Sequence, residues 1–145
     1  MNCVEFNVYG EPMAKQRPKI SMNNGYARAY TPKNTILYEN KVAQSYKEVA
    51  NDYMFERNDL LEITIIANFS LVSGDYGKKG LNKNGRDKLS QIYCPKHKDL
   101  DNIIKVVLDG LNGIAYLDDK QIVKINAVKK WVENNPKVQV ILQKI

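Results

Sequence analysis

Histidine is almost missing from this chain. His97 is the only one among 145 residues, and the two cysteines, Cys3 and Cys94, stand far apart. Structural zinc needs several Cys or His ligands, so a zinc site is not expected. Two cysteines without ligand spacing read as free thiols in a reducing compartment rather than as a disulfide scaffold. No apolar run approaches the ~20 residues a membrane span needs. Met1-Asn2-Cys3-Val4-Glu5 shows no basic region followed by an apolar core, so no signal peptide is expected. These absences point to a cytoplasmic protein with no membrane partner. Acid is also in the minority. There are 16 Asp and Glu against 22 Lys and Arg, a net charge of +6. That balance favours a polyanionic partner, nucleic acid above all. The length suits a single domain spanning 1–145, and a hydrophobic fraction of 43% can build a real core.

What acid there is gathers in one place. Asp99-Leu100-Asp101-Asn102-Ile103-Ile104-Lys105-Val106-Val107-Leu108-Asp109 is followed by Leu117-Asp118-Asp119-Lys120-Gln121. A basic protein has little reason to concentrate carboxylates this way. An oxygen-ligand site for a hard divalent cation supplies one.

Coarse periodicity places these residues on elements. Val4, Phe6 and Val8 alternate with polar residues as a first strand. Residues 10–31 lack helical periodicity and carry Lys15, Arg17, Lys19 and Arg28, so they read as a long basic loop. Thr31-Pro32 offers a cap and a first-turn proline for a helix whose apolar face is Tyr38, Val42, Tyr46, Val49 and Tyr53. Leu61 to Leu71 alternates as a long strand. From 73 to 98 the pattern collapses. Lys78, Lys79, Lys83, Arg86, Lys88, Lys96 and Lys98 face only Asp75 and Asp87, which is nearly the whole excess charge of the chain. This stretch reads as a flexible basic loop that orders on DNA. A second helix starts at or just after Asp99 and stops at Gly113. Val123, Ile125 and Ala127 form a third strand. After the turn Asn134-Asn135-Pro136, the strand of Val138, Val140 and Leu142 pairs back as a hairpin. The fold class is therefore α/β (α+β): a small mixed sheet with two main helices in the order β-α-β-α-β-β.

On the second helix, Asp101, Lys105 and Asp109 follow one another at four-residue steps and line one flank of the apolar stripe. Asp99 inside regular helix would point about 200° away from Asp101. At the N-cap its carboxylate can swing to the same flank. Asp118 and Asp119 sit in the turn before the third strand, and adjacent extended residues face opposite ways, so one of the two is expected to point inward. Three converging carboxylates make a magnesium-type site that keeps waters and accepts a substrate phosphate. Lys105 could hold that phosphate or stabilise developing charge. Each residue also has an ordinary structural use: a cap for Asp99, a surface ion pair for Asp101 and Lys105, turn chemistry for Asp118-Asp119. Their co-occurrence on one short segment favours the site.

The run Asp99-x-Asp101-Asn102-x-x-Lys105-x-x-x-Asp109-x-Leu111, followed by Leu117-Asp118-Asp119, resembles the RusA family of Holliday junction resolvases, the crossover junction endodeoxyribonucleases. Gly10-Glu11-Pro12, Lys15-Gln16-Arg17-Pro18 and Tyr30-Thr31-Pro32 resemble the N-terminal segment of many phage and Gram-positive members. The resemblance implies Asp99, Asp101 and Asp119 as ligands of Mg²⁺, with Mn²⁺ as a substitute, and Lys105 as a catalytic residue. Asp118 and Asp109 take supporting roles. It further implies a homodimer that cuts opposed strands of a four-way junction symmetrically, in DNA recombination and repair, without a small-molecule cofactor. It allows a phage or prophage origin. The 73–98 stretch is longer and more basic than in the shortest relatives. Lys15, Arg17, Lys19, Arg28 and the seven cations of that stretch are the expected DNA contacts. Two other readings compete: a non-catalytic module gripping branched or single-stranded DNA, and a metal-dependent nuclease acting on flaps or RNA.

Overall fold

Leu61–Ser70 is the most continuously apolar stretch of the chain, and it forms the central strand. The computed structural model describes residues 1–96 and 98–145; His97 lies outside the described residues. Its strands are β1 (Cys3–Tyr9), β2 (Lys19–Asn23), β3 (Tyr26–Tyr30), β4 (Leu61–Ser70), β5 (Tyr76–Gly77), β6 (Gly80–Leu81), β7 (Ile122–Val132) and β8 (Lys137–Lys144). Its helices are α1 (Lys33–Ala50), α2 (Lys83–Gln91) and α3 (Leu100–Leu111). Single 3-10 turns occupy Ser73–Asp75 and Asp119–Gln121.

Four strands form a mixed sheet in the order β1-β8-β4-β7. Ile63, Ile65, Ala67 and Phe69 of β4, with Val140 and Leu142 of β8 and Phe6 and Val8 of β1, are fully or almost fully buried. They make the sheet half of the core. Helices α1 and α3 supply the other half through Tyr38, Val42 and Tyr46 and through Ile103, Val106, Val107 and Leu111. Each such side chain contributes about 1.5–3 kcal/mol on burial. The opposite sheet face, with Thr64 and Ile66, is half covered.

Gly110 sets how closely the helices approach. A Cβ there would meet Glu39 O and Val42 Cβ, each at 2.9 Å. Only hydrogen fits at that crossing.

The expected α/β (α+β) class is present as a mixed sheet with helices; against the expected order β-α-β-α-β-β, the chain has eight strands and three helices among the described residues, and one pairing differs. β8 does not form a hairpin with β7. It pairs antiparallel with β1 and β4, while β7 runs parallel to β4. β4 therefore lies between them, and the Asn134-Asn135-Pro136 turn steps across it. The reason is burial: β4 is the most apolar strand and takes the position with neighbours on both sides, whereas β7 accepts an edge.

The basic loop expected over 10–31 contains the β2–β3 hairpin, turned at Asn24-Gly25. Asn-Gly is a hairpin turn signal that the search for helical periodicity passes over. The loop expected over 73–98 contains β5, β6 and α2. Asn82 caps α2 by accepting from Gly85 N–H at 3.1 Å. Buried Asp75 accepts from Val72 N–H at 2.9 Å and pairs with Lys88 at 3.0 Å. Burial works against ionising Asp75, but these donors hold it below its ordinary range. α2 is anchored by one carboxylate rather than by an apolar stripe.

Helix α1 begins one residue after its expected first-turn proline, with Pro32 at the cap position. It ends at Ala50, which is buried where Val49 was expected and Val49 is exposed; Tyr53 lies beyond the helix.

Candidate active site on the third helix

Asp99 occupies the N-cap of α3 in extended backbone, and its side chain makes no capping hydrogen bond. Its carbonyl alone accepts from Asn102 and Ile103 N–H at 3.1 Å. The carboxylate is thus left over for something other than the helix. Asp101 and Lys105 are exposed on the solvent flank of the same helix. Among the described residues they form no ion pair with each other or with any neighbour within 4.0 Å. Asp101, Lys105 and Asp109 share an arc of roughly 80° at about 100° per residue.

A strap of residues 13–18 runs beside this flank. Lys15 N–H donates to Asn102 O at 2.9 Å, which tacks the strap to the first turn of α3. The Lys15 ammonium reaches Asp109 by a short hydrogen bond and stands 3.8 Å from Glu39. The bond to Asp109 keeps Lys15 protonated above its ordinary range. Burial raises Glu39, with Lys15 opposing. Lys15, Gln16, Arg17 and Pro18 then line a cleft with Asn102 and Lys105. Among the expected DNA contacts, Lys15 is therefore committed to Asp109, while Arg17 opens onto Lys105.

The Leu117-Asp118-Asp119 turn is built from Gln121. Its buried amide donates to Glu56 O at 2.8 Å and Asp59 O at 3.2 Å, and accepts from Leu117 N–H at 3.1 Å. Asp118 caps the 3-10 turn by accepting from Lys120 N–H at 3.0 Å. That bond, then a hydrogen bond with Asp119, holds Asp118 below the usual carboxylate range. Asp119 is raised by desolvation, by its bond to Asp118 and by the charges of Asp118 and Asp109. Arg57 and Asn58 line a pocket with Asp118, Lys120 and Gln121. No sequence pattern marks Arg57 or Asn58; folding alone brings them there.

The two groups of carboxylates do not merge. Asp119 lies in the 3-10 turn after α3, next to Tyr116, which is tied to Leu108 near the C-terminal end of the helix, whereas Asp99 and Asp101 lie at its start. Eight residues separate Asp101 from Asp109, about 12 Å along the axis at 1.5 Å per residue. Among the described residues no three His, Cys, Asp or Glu side chains are grouped to hold a metal ion. Within this one chain Asp99, Asp101 and Asp119 are not brought together as a ligand group; the expectation that they share an ion, in one chain or across a dimer, is taken up as a proposal below. The return from α3 to β7 brings the turn back against the C-terminal half of the helix, because Tyr116 is buried there with its hydroxyl donating to Leu108 O at 2.8 Å.

The other expected DNA contacts divide by partner. Lys78 and Lys79 form the exposed turn between β5 and β6, and Lys96 is exposed after α2. Lys83 pairs with Asp87 at 2.8 Å, and Arg86 donates to Leu81 O at 2.8 Å. Lys88 is held by Asp75 and lies 4.7 Å over the Trp131 ring, so it is occupied with the protein interior. Lys98 is half-buried, and its carbonyl accepts from Lys129 at 2.7 Å.

The structure is a small α/β domain, a mixed sheet backed by two helices, that presents acids and a lysine from one helix beside a basic strap. The family comparison names the class. The model of the endodeoxyribonuclease RusA family matches residues 9–143, and the chain belongs to that family. It is accordingly a hydrolase acting on DNA, of a family that resolves Holliday junctions and generally depends on a divalent metal. The chain is also similar to the uncharacterized protein YqaN of Bacillus subtilis (strain 168). The two are 28% identical over 145 residues, covering 100% of this chain and 99% of the relative.

Proposed function

We propose that this protein is a Mg²⁺-dependent, structure-selective endonuclease that resolves four-way DNA junctions by symmetric hydrolysis in recombination and repair. The observation that carries the reading is the α3 flank. Asp99, Asp101 and Lys105 stand in order on an exposed surface, with no ion-pair partner among the described residues, in a chain of net charge +6. Unneutralised acids in a basic setting fit a cation, and a lysine one turn on fits a phosphate oxygen.

One chain supplies two carboxylates at this end of α3 and lacks the third. The reading therefore includes a homodimer in which Asp119 of a second copy completes the set. β7 is an edge strand. Its far half is covered, since Trp131 N–H donates to Ile92 O and Cys94 N–H to Lys129 O. Its first half is open, and Val123 and Ile125 there are 54% and 43% exposed, with Leu117 at 51%. This largely apolar, unpaired edge begins three residues after Asp119 and is the surface we assign to the second copy. Asp119 rather than Asp118 is the proposed ligand, because Asp118 is engaged in capping its turn. A bound divalent cation would supply charge neutralisation and an activated water. A two-fold dimer presents equivalent sites to the opposed strands of a two-fold junction.

The DNA surface we assign runs through Arg17, Lys19 and Arg28 and the exposed Lys78, Lys79 and Lys96. A labelled four-way junction incubated with and without Mg²⁺ tests the reading. Paired, ligatable, metal-dependent nicks are expected, and Asp101→Asn should abolish them while junction binding persists. Cleavage retained by that variant, or preferential cutting of flaps or structured RNA in competition, overturns it.

A further inference from the structure

The β2–β3 hairpin has no cover. Every residue of both five-residue strands is exposed. A lone two-stranded hairpin is marginal in water, so its working state places something against it. The register sorts its two faces. Lys19 stands opposite Tyr30, Ser21 opposite Arg28 and Asn23 opposite Tyr26. Ile20 stands opposite Ala29, and Met22 opposite Ala27. Directly opposed residues share a face and successive ones alternate. One face therefore carries two cations and two tyrosines. The other is wholly apolar, with Ile20 and Met22 each 72% exposed.

The hairpin's position and charge select its occupant. Lys19 continues directly from the Lys15–Pro18 strap that lines the cleft with Asn102 and Lys105. The return strand ends at Tyr30, in a second cleft with Gln16, Lys19 and Lys33. Between Glu11 and Glu39 the chain has five cations and no acid. A second copy of this basic chain would meet the hairpin with like charge, whereas DNA meets it with opposite charge.

We infer that the hairpin is a branch-point arm: its Lys19, Arg28, Tyr26 and Tyr30 face lies along the DNA backbone beside the cut strand, and Ile20 and Met22 cap a base pair laid bare where the junction arms meet. The inference rests on the nuclease reading above. Apolar side chains of this kind insert where base steps are unstacked, and tyrosines stack on bases without regard to sequence. A continuous duplex offers no bare base face. The cationic face then supplies affinity for any DNA, and the apolar face supplies preference for a branch.

The test uses the full chain, without divalent cation, and junctions carrying 2-aminopurine at the branch. The native protein should raise the fluorescence on binding. Ile20→Ser/Met22→Ser changes two exposed side chains, so its circular dichroism and melting should match the native protein. It should lose the fluorescence rise and about 10-fold of its junction-over-duplex preference, with duplex affinity unchanged. Lys19→Ala/Arg28→Ala should weaken junction and duplex alike and lower the salt slope by about 2. An unchanged fluorescence rise and preference in the serine variant overturns the inference. So does a shift from dimer to monomer on sedimentation, which would give the apolar face to a second copy. If the native protein binds branches through this arm but never cuts them, the nuclease reading fails and the arm stands. If it cuts in a parallel reaction with Mg²⁺ and the serine variant is indistinguishable in binding and fluorescence, the arm fails and the nuclease stands.

Discussion

A composite site across two chains makes a counting prediction. Asp101→Asn and Asp119→Asn should each be inactive alone, because every site in either homodimer lacks one carboxylate. Mixed and allowed to exchange subunits, equal amounts give about half heterodimers, if pairing is random. Each heterodimer then has one site missing both residues and one site with all three carboxylates. Mg²⁺–oxygen distances are about 2.0–2.1 Å, so ligands of one ion sit within a few ångströms of each other. Asp101 and Asp109 stand about 12 Å apart along α3, and Asp119 lies in the turn after the helix, so the two-copy reading draws Asp119 from the second chain. The mixture should therefore nick junctions at about one quarter of the native number of sites, one strand per binding event, while either variant alone does nothing. The assay is the ratio of nicked to resolved labelled junction on a denaturing gel, with subunit exchange followed by mass-tagged copies. If exchange is complete and the mixture stays dead, Asp119 acts within its own chain or not at all, and the two-copy site is refuted.

Lys105→Ala should lower cleavage by about 100-fold or more with junction binding nearly unchanged, read as single-turnover rate against gel-shift affinity. Gly110→Val places side-chain atoms against Glu39 O and Val42; it should cost about 1–3 kcal/mol or more, measured as a fall in the urea midpoint. Lys144 hydrogen-bonds Asp59 at 2.9 Å and holds it below the ordinary carboxylate range. Its stabilising contribution is complete above the unfolded value near about 3.9 and is lost as pH falls through the lower folded value. Asp59→Asn should flatten the acid side of the stability curve, and an unchanged acid limb would discard the pair as a contributor.

Much of this molecule is legible before folding because burial leaves a period. The alternation of Ile63, Ile65, Ala67 and Phe69 and the stripe through Ile103, Val107 and Leu111 become β4 and α3 with the faces expected of them. Asp99 falls at the N-cap, the position from which its carboxylate can swing toward the flank of Asp101. The failures are of another kind. The β2–β3 hairpin buries nothing; its alternation of Ile20 and Met22, then Ala27 and Ala29, is short and sits among basic residues, so only Asn24-Gly25 between the two runs marks it as a hairpin. Helix α2 is held by Asp75, Asn82 and Lys88, polar contacts that composition reads as a solvated run. The β7–β8 pairing was misread because a short turn normally joins neighbours, and nothing local tells that β4 will come between them.

The same distinction bears on the site. Spacing along one helix is local, so Asp101, Lys105 and Asp109 could be placed on one flank by angle alone. Where the Leu117-Asp118-Asp119 turn lands is not local. It depends on Gln121 reaching Glu56 and Asp59, and on Tyr116 finding Leu108 O. Those contacts fix the turn against the C-terminal half of α3 rather than at its start. A motif whose members serve one ion can thus be contiguous in sequence and divided in the folded chain. On the two-copy reading the third carboxylate arrives from a second chain. The open half of β7, apolar and adjacent to Asp119, is the part of the surface that can bring it, which ties dimerisation to cleavage: a charge placed at Val123 or Ile125 should weaken both together rather than either alone.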